Sequence, residues 1–453
     1  MTRNRAVSAL IAWLACLPAV VSWVVKVIVH PRPFWVQFYD PETIYFYEGL
    51  RLTRGQVPLN VDNPGTPLQV LSAAIAIVTG RTPAAYERFL LVGHTVGLLV
   101  TVAAILVLLR TVFRGVAPLL AVTGIWALFI APQMLERIDI WGPEILFLPF
   151  GALALAAGWR WSEERTDRAL FLFGMAAGLC VAVKFVFASW AIALVAVSWR
   201  RPHVAVGGLA AGFILGTFPV APRYLDLLPR LIALSHNRGE QRWGDLLPMQ
   251  KAWMVWVLVV LLLAAWRARD RRVLAVFAGL AIVLSYVQAF GAPSFRYLLP
   301  TALCVALLFA LAVQRPLPAG ARIGIAALGA ILLLKAFASD LRAHRARIQD
   351  GAATRAAIMR AIRPGEVVLF GWRTPIPSFA LRVTAADPRD LHVISEMYPL
   401  EGHFDPWRKE VVLPDGAAQW DALVLLESDR QDFPELRARL RTRVGGFLIL
   451  ERP

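Results

Sequence analysis

The sequence predicts an α-helical polytopic membrane protein with about eleven transmembrane helices and a small C-terminal α/β soluble domain. Of its 453 residues, 58% are hydrophobic and the mean hydropathy is +0.58, whereas a soluble domain is usually about 45–50% apolar. The excess lies in uncharged runs of roughly the 20 residues that a membrane helix needs. Because helices satisfy their own backbone polar groups in lipid, we expect these runs to be helical.

The predicted crossings follow one another along the first 338 residues. The runs at 168–183 and 185–199 are short, so one long kinked element is the alternative there. The stretch from Pro67 to Val78 is too short to span and predicts an interfacial or re-entrant helix. The first run continues to about Ile28, beyond the length of a cleaved signal sequence, and predicts an uncleaved helix. The crossings begin near Val7, Phe89, Val116, Pro143, Arg168, Phe185, Val204, Ala252, Val273, Tyr297 and Ile323.

Arginine distribution predicts the orientation of the chain in the membrane. The N-terminus and the short loops near residues 110–114, 160–168, 200–201 and 267–272 are rich in arginine, so we place them in the cytoplasm. The opposite set of loops is less basic and lies outside: 30–66, 131–142, 222–250 and 291–296. With an odd number of crossings, the C-terminus is also outside.

The tail changes character at about residue 339. It is charged and contains several prolines. Strand-like runs lie at 366–370, 421–426 and 446–450, and helix-like pieces lie at 341–362 and 434–442. This alternation predicts a small α/β domain. We therefore divide the chain into a transmembrane domain, residues 1–338, and an extracytoplasmic domain, residues 339–453.

Composition excludes several classes of function. The net charge is +16, but the arginines lie in loops between apolar runs rather than in a basic stripe, so we predict no nucleic-acid partner. The three cysteines lie inside apolar runs and form no metal or redox spacing. No Ser-His-Asp spacing, HExxH or CxxC motif supports a hydrolase or zinc enzyme.

The first outer loop carries carboxylates directly after a membrane helix, in FYDPETIYFYEG at 38–49. Asp40 precedes Pro41, which is typical of a helix start. One interpretation is an interfacial helix that Asp40 caps and whose aromatic residues form a membrane belt. A catalytic role is compatible with capping, because the helix start keeps the carboxylate ionised. Glu42 is the alternative, and Asp62 in the following turn is a weaker candidate.

Further candidates lie on the same predicted side. Asp139 lies in the second outer loop, and Glu144 stands just inside an apolar helix, where an ionisable group is costly and indicates function. Four other residues are candidates for binding a phosphate: Lys184, His236, Arg296 and Tyr297. A helix-start charge, a snorkelling lysine, a solvated histidine and a membrane anchor are the alternative structural interpretations.

These residues lie in a series of motifs that resembles integral-membrane glycosyltransferases of the GT-C fold. The resemblance is to bacterial lipid-A and core sugar transferases and protein mannosyltransferase-like enzymes. It covers nearly the whole chain, although each motif is loose. The motifs are YDPETIYFYEGLRLTRGQVP, DNPGTPLQVL, a helix with Arg88 near its start, WGPEILFLPF, GLCVAVKF, FRYLLP and PGEVVLFGWRTPIPSFALR.

The resemblance implies a sugar donor on a polyprenyl phosphate and an acceptor that is an envelope glycan, a lipid or a protein. It implies a bacterial inner membrane location and inverting displacement, with Asp40 as base, Glu144 as second acid, and Lys184 and Arg296 at the phosphate. The chain has Asn63-Pro64-Gly65 where the family has His-Pro-Gly, and no clean Asp-x-Asp pair. A divalent metal, Mg²⁺ or Mn²⁺, is left open. The alternatives are a lipid or sugar transporter and a catalytically inactive assembly subunit.

Overall fold

The structure is a computed structural model, and it describes most of the membrane region and parts of the tail. The described residues are 2–33, 40–58, 65–81, 85–131, 134–225, scattered positions between 253 and 267, 271–289, 299–363, 366–370, 392–394, 403–405, 410–412, 421–427, 430 and 438–451. The α-helices are α1 (Thr2–Trp23), α2 (Asp40–Thr53), α3 (Thr66–Thr79), α4 (Tyr86–Arg110), α5 (Pro118–Ile130), α6 (Phe147–Glu164), α7 (Asp167–Val183), α8 (Ala188–Val197), α9 (Pro202–Thr217), α10 (Arg272–Ala289), α11 (Leu299–Val313) and α12 (Ala319–Ala361).

The helices form a multi-pass membrane bundle. Five described helical stretches are long and apolar enough to cross a membrane: Ser8–Val29, Tyr86–Arg110, Pro143–Glu164, Pro202–Arg223 and Ala319–Ala361. Shorter apolar helices such as α5 and α11 lie between them. Except for the crossing near Ala252, where only scattered positions are described, each predicted crossing starts within a few residues of a helix. The stretch at 67–78 forms the short helix α3.

Lys184 interrupts the apolar stretch of the predicted short crossings. It has an extended backbone (φ −162°, ψ 140°) and ends α7; a 3₁₀ turn, Phe185–Phe187, then leads into α8. The two stretches are therefore separate helices rather than one kinked element. The break sets the lysine side chain at the end of α7, where it is buried.

Glycines bring α7 and α9 into backbone contact. Gly174 and Gly178 on α7 face Gly208 and Gly212 on α9, and a Cβ at any of these positions would overlap backbone atoms of the other helix. Small residues four apart are typical of closely packed membrane helices, because they let the backbones approach and gain van der Waals contact. Gly207, next to this seam, faces open space.

A methyl group in this seam is expected to destabilise the bundle. Gly212→Ala places a Cβ against the carbonyl oxygen of Met175, and we expect it to lower the free energy of unfolding by about 1–3 kcal/mol, as overpacking does. Gly207→Ala is the matched control, because it adds the same group without a clash. Thermal unfolding of the purified protein in detergent measures both. Equal stability of the two variants would contradict this account of the helix pair.

The last helix, α12, joins the membrane bundle to the tail. It is 43 residues long, or about 65 Å at 1.5 Å per residue, roughly twice the thickness of the hydrocarbon core. The expected boundary at 338/339 lies inside this continuous helix. The tail therefore begins on a rigid extension of the last membrane helix rather than after a linker.

The described strands of the tail form two sheets. The larger sheet has the order β2 (His392–Ile394), β1 (Val367–Phe370), β5 (Ala422–Leu426), β7 (Phe447–Glu451) and β6 (Arg439–Val444). β1 is parallel to β2 and β5, whereas β7 is antiparallel to both of its neighbours. The smaller sheet pairs β3 (His403–Asp405) with β4 (Glu410–Val412). The three strand-like runs of the sequence correspond to β1, β5 and β7.

One local prediction in the tail is wrong: the piece at 434–442 was expected to be helical, but 439–444 is the edge strand β6. Gly445 and Gly446 both have positive φ, 51° and 85°. This conformation suits a two-residue hairpin turn, so β6 pairs with β7. The charged side chains of β6, which look helical in sequence, are typical of an exposed sheet edge.

Apolar contacts and one arginine attach the sheet to the end of α12. Ile358 of α12 packs in one buried cluster with residues of β1, β5 and β7. The Arg441 guanidinium donates to both carboxylate oxygens of Glu366, at 2.9 and 2.7 Å, and to Glu451 at 3.1 Å. These hydrogen bonds with Arg441 hold the pKa of Glu366 below its ordinary value.

Candidate active site

A cavity of about 390 Å³ opens where the first helix ends and α4 begins. Its lining combines cationic, acidic and apolar residues, and the cationic and apolar ones together suit an anion attached to a hydrocarbon chain. The lining residues are Lys26, Val27, Pro31, Arg32, Glu87, Arg88, Leu90, Leu91, His94 and Asp139.

Lys26 lies in a π-helical turn, Val24–Val29, that continues α1. π-Helical turns are rare in proteins, and those that occur often lie at functional sites. The ammonium is 2% exposed and donates to the carbonyl of Leu135 at 2.9 Å and to Asp139 at 3.1 Å. It also lies 2.6 Å from the carboxylate of Asp340 on α12. A buried ammonium is tolerated only when it is paired, so Lys26 fixes three segments together.

Asp139 connects this lysine to the last helix. It ends a 3₁₀ turn, Glu136–Asp139, and its second carboxylate oxygen is 3.4 Å from Nδ1 of His344 on α12. The opposite ring nitrogen of His344 lies 3.0 Å from the carbonyl oxygen of His30. Burial alone would raise the pKa of Asp139, but the charge of Lys26 and the hydrogen bond with His344 hold it well below its ordinary value. The carboxylate is therefore ionised at neutral pH.

Glu42 forms a second buried ion pair beside the cavity. Nη2 of Arg32 is 2.8 Å from both carboxylate oxygens, and the backbone N–H of Trp141 donates to Oε1 at 3.1 Å. His94 of α4 lies 3.5 Å from the same oxygen. Burial opposes ionisation of Glu42, but the positive charge of Arg32 and the hydrogen bond with His94 lower its pKa. Glu42 thereby joins α2, α4 and the loop that contains Trp141.

Trp141 holds α3 and α4 against this loop. Its indole N–H donates to the hydroxyl of Ser72 on α3 at 2.8 Å. Its ring packs on Gly93 of α4, where a Cβ would lie 2.9 Å from Cε3. The ring is completely buried. Trp141 thus binds Glu42 through its backbone N–H and orients α3 through its indole N–H.

Glu144 and Lys184 form a third buried pair. Glu144 lies in the 3₁₀ turn Pro143–Leu146 before α6, and its Oε1 accepts a hydrogen bond from the lysine ammonium at 2.6 Å. Both side chains are 3% exposed. The break after α7 gives Lys184 access to the start of α6. Lys184 therefore neutralises Glu144, and neither residue lines the 390 Å³ cavity.

The remaining sequence-predicted residues divide into two groups. Asp40 is the first residue of α2, within one residue of the predicted helix start, and its side chain lies outside the described part of the structure. Asp62, His236, Arg296 and Tyr297 lie wholly outside the described residues. The structure thus brings Glu42 and Asp139 to the cavity and gathers Glu144 with Lys184 nearby.

Sequence reasoning missed most of the cations of the cavity. Lys26 lies in VVKVIV and His94 in an apolar run, and an ionisable residue inside a membrane segment is itself a signal of function. Arg32 follows the first helix by only a few residues. Asp340 and His344 gave no such signal, because they lie in a charged segment that was assigned to the tail.

No metal centre is recognisable among the residues that the structure describes. Among them, no group of three or more histidine, cysteine, aspartate or glutamate side chains is arranged to hold a metal ion. Of the two carboxylates that line the cavity, Asp139 is paired with Lys26 and Glu87 is exposed; beside the cavity, Glu42 is paired with Arg32.

The Glu144–Lys184 pair gives a test by double substitution. Glu144→Gln leaves a buried, uncompensated ammonium and is expected to cost about 3–5 kcal/mol of stability. Adding Lys184→Met removes that charge, and we expect it to restore most of the loss. Unfolding in detergent of the wild type, both single variants and the double variant measures the coupling. A double variant no more stable than Glu144→Gln would contradict the pairing.

Comparison with solved structures identifies the fold. No protein-family model matches the sequence, and no curated protein is significantly similar to it. ArnT from Cupriavidus metallidurans in the apo state has a TM-score of 0.59 and 15% identity, over 98% of this chain and 98% of that one. ArnT bound to undecaprenyl phosphate gives 0.58 and 15%, over 96% and 97%. The apo Archaeoglobus fulgidus oligosaccharyltransferase gives 0.51 and 13%, over 92% and 69%. The chain therefore has the GT-C fold.

Proposed function

We propose that the protein is a membrane glycosyltransferase that moves a sugar from a polyprenyl-phosphate donor to an extracytoplasmic acceptor. The observation that carries this proposal is the 390 Å³ cavity, which combines cationic and apolar residues in its lining. Support also comes from the similar fold of ArnT, which has been seen with undecaprenyl phosphate bound. The acceptor would be an envelope glycan, a glycolipid or a protein, and the membrane a bacterial inner membrane.

The phosphate of the donor would lie among the cations of the cavity. Lys26 and Arg32 already face carboxylates, so their charges are largely compensated and we do not propose them as the main phosphate ligands. Arg88 lies near the start of α4, is exposed and lines the same cavity. Its planar guanidinium suits bidentate contact with a phosphate. The apolar wall of Val27, Pro31 and the leucines would receive the first part of the lipid chain.

Asp40 remains our proposed base, and the surroundings of Glu42 support it. A general base needs an oxygen within reach of the acceptor hydroxyl. Both oxygens of Glu42 accept from Arg32, and the carboxylate is 1% exposed. Glu42 is therefore proposed to fix the start of α2. Asp40, one half-turn earlier at the helix start, would be held ionised by the helix dipole.

The proposed reaction is a single inverting displacement. The acceptor oxygen attacks the anomeric carbon, and the bond from that carbon to the phosphate oxygen breaks. The hydroxyl proton passes to Asp40, and the polyprenyl phosphate leaves with the bonding electron pair. Arg88 would stabilise the charge that develops on the leaving phosphate. Glu144 stays a prediction as the second catalytic acid, and Asp62 and Asp139 stay secondary acidic candidates. The phosphate-binding roles of Lys184, His236, Arg296 and Tyr297 also stay predictions.

Asp40→Asn tests the base. We expect sugar transfer to fall at least about 100-fold, because positioned proton transfer contributes that much, while folding and membrane insertion are kept. Deleting the gene and comparing membrane glycolipids and envelope glycans by mass spectrometry first identifies the missing sugar. Transfer of that sugar is then measured in membranes carrying the variant.

The control for this substitution is Asp350→Asn, which removes an exposed carboxylate of α12 and is expected to leave transfer unchanged. Normal transfer by Asp40→Asn would make Asp40 a helix cap only. An unchanged glycan profile after deletion would oppose the transferase itself and favour an inactive assembly subunit. A transporter would instead move the lipid-linked sugar without breaking its bond to phosphate.

Arg88→Gln tests the donor site without requiring turnover. A charge-assisted hydrogen bond contributes about 1.5–3 kcal/mol, so binding of undecaprenyl phosphate is expected to weaken roughly 10- to 100-fold. Native mass spectrometry of the detergent-solubilised protein measures the bound fraction. Arg81→Gln removes an exposed arginine just before α4 that does not line the cavity, and we expect no effect. Equal binding by the two variants would exclude Arg88 from the site.

A further inference from the structure

A second cavity lies at the opposite end of the bundle. It has a volume of about 300 Å³ and is lined by four arginines, with a glycine, a leucine and a glutamine; no carboxylate is among the lining residues that the structure describes. Arg88 and Arg110 mark the two ends of α4 and are about 33 Å apart along the helix. The second cavity is thus separated from the first by the hydrocarbon core. Its lining is Arg114, Gly115, Arg267, Arg271, Leu311, Gln314 and Arg315.

Two of the guanidinium groups are held in place by neighbouring groups. Arg271 lies 3.9 Å from the ring centroid of Trp159 and donates to Ser162 at 3.1 Å and Glu163 at 2.8 Å. Arg267 donates to the carbonyl of Arg315 at 3.2 Å. Preorganised guanidinium groups lose little freedom when they bind an anion, so these contacts favour recognition over random surface charge.

Arginines at this end have an ordinary explanation, since they orient membrane proteins and interact with helix C-termini. That explanation requires only that the side chains reach the membrane surface. Here four of them, from three separate loops, converge on one cavity with a volume in the range of ligand pockets. Arg271 is paired with Glu163, and an anion bound among the four guanidinium groups would further reduce the repulsion between like charges.

We propose that this cavity binds an anion that carries two phosphate groups, with each phosphate held by a pair of arginines. Guanidinium groups match phosphate oxygens in bidentate geometry. The cavity lies at the end of a membrane helix, with Leu311 in its wall, where lipid headgroups are found. Basic pockets between helix ends bind such headgroups. The site does not depend on the glycosyltransferase proposal, because it shares no residue with the first cavity.

The test uses the full-length protein and compares a lipid headgroup with a soluble ion, each of which carries two phosphate groups. Native mass spectrometry measures retention of cardiolipin, phosphatidylglycerol and phosphatidylethanolamine, and thermal unfolding measures stabilisation by inorganic pyrophosphate. We expect the wild type to retain cardiolipin in preference to the lipids with one phosphate. Arg114→Gln/Arg315→Gln is expected to lower that retention at least about tenfold. Stabilisation by pyrophosphate alone, lost in this variant, would support the site with a soluble ligand.

The control variant is Arg168→Gln/Arg322→Gln, which removes two exposed arginines from the same end of the bundle and should retain cardiolipin normally. Equal loss in the control would overturn the proposal, because general surface charge would then explain binding. Unchanged binding of both probes by the cavity variant would overturn it as well. If the glutamine variant does not fold, Arg114→Lys/Arg315→Lys keeps the charges and loses the bidentate geometry. Undiminished retention by that variant would also overturn the proposal.

Discussion

The buried ammonium of Lys26 is the constraint on which the arrangement of the cavity end of the bundle depends. Removing a charge from water costs several kcal/mol unless partners compensate it, and Lys26 is compensated by Asp139 and Asp340. Lys26 lies in the turn that continues α1, and its two partners lie in the loop before α6 and on α12. Because the loop is fixed at Asp139, the backbone of Trp141 is positioned to donate to Glu42. Glu42 in turn holds Arg32 at the cavity. One buried charge thus orders four segments that are far apart in sequence.

The same network connects the tail to the membrane site. Asp340 and His344 lie one turn apart on α12, and both face the residues around Lys26. The helix then continues without a break to Ile358, which packs on the sheet, and the Glu366–Arg441 pair closes the junction. A rigid helix therefore spans the distance between the cavity and the tail domain. The described tail strands thus follow a continuous helix that also carries ion-pair partners of Lys26 and Asp139.

Much of the fold was predictable because membrane helices are local features. Apolar run length located the helices, and the strand-like runs located three strands of the tail sheet. The site was only partly predictable. Asp139, Glu144 and Lys184 attract notice because charges stand beside apolar residues, but their partners do not follow from spacing: Lys26 and Asp139 are 113 positions apart, and His30 and His344 are 314 apart. Residues 439–442 were misassigned because arginine-rich edge strands resemble amphipathic helices in sequence, and only their pairing with β7 identifies them as a strand.

The two acids of the opening segment show how burial separates roles that sequence leaves equivalent. Asp40 and Glu42 are two positions apart on α2, and both are carboxylates beside a membrane. Glu42 is enclosed by Arg32, His94 and the Trp141 amide, and its pKa is lowered, so it stays ionised without access to a substrate. Such a carboxylate holds helices in position and contributes a fixed negative charge to the electrostatic field of the site. Proton transfer requires the opposite condition, an ionised oxygen that an incoming hydroxyl can reach. Because Glu42 is enclosed, we propose that proton transfer falls to another carboxylate, and Asp40 at the start of α2 is our candidate.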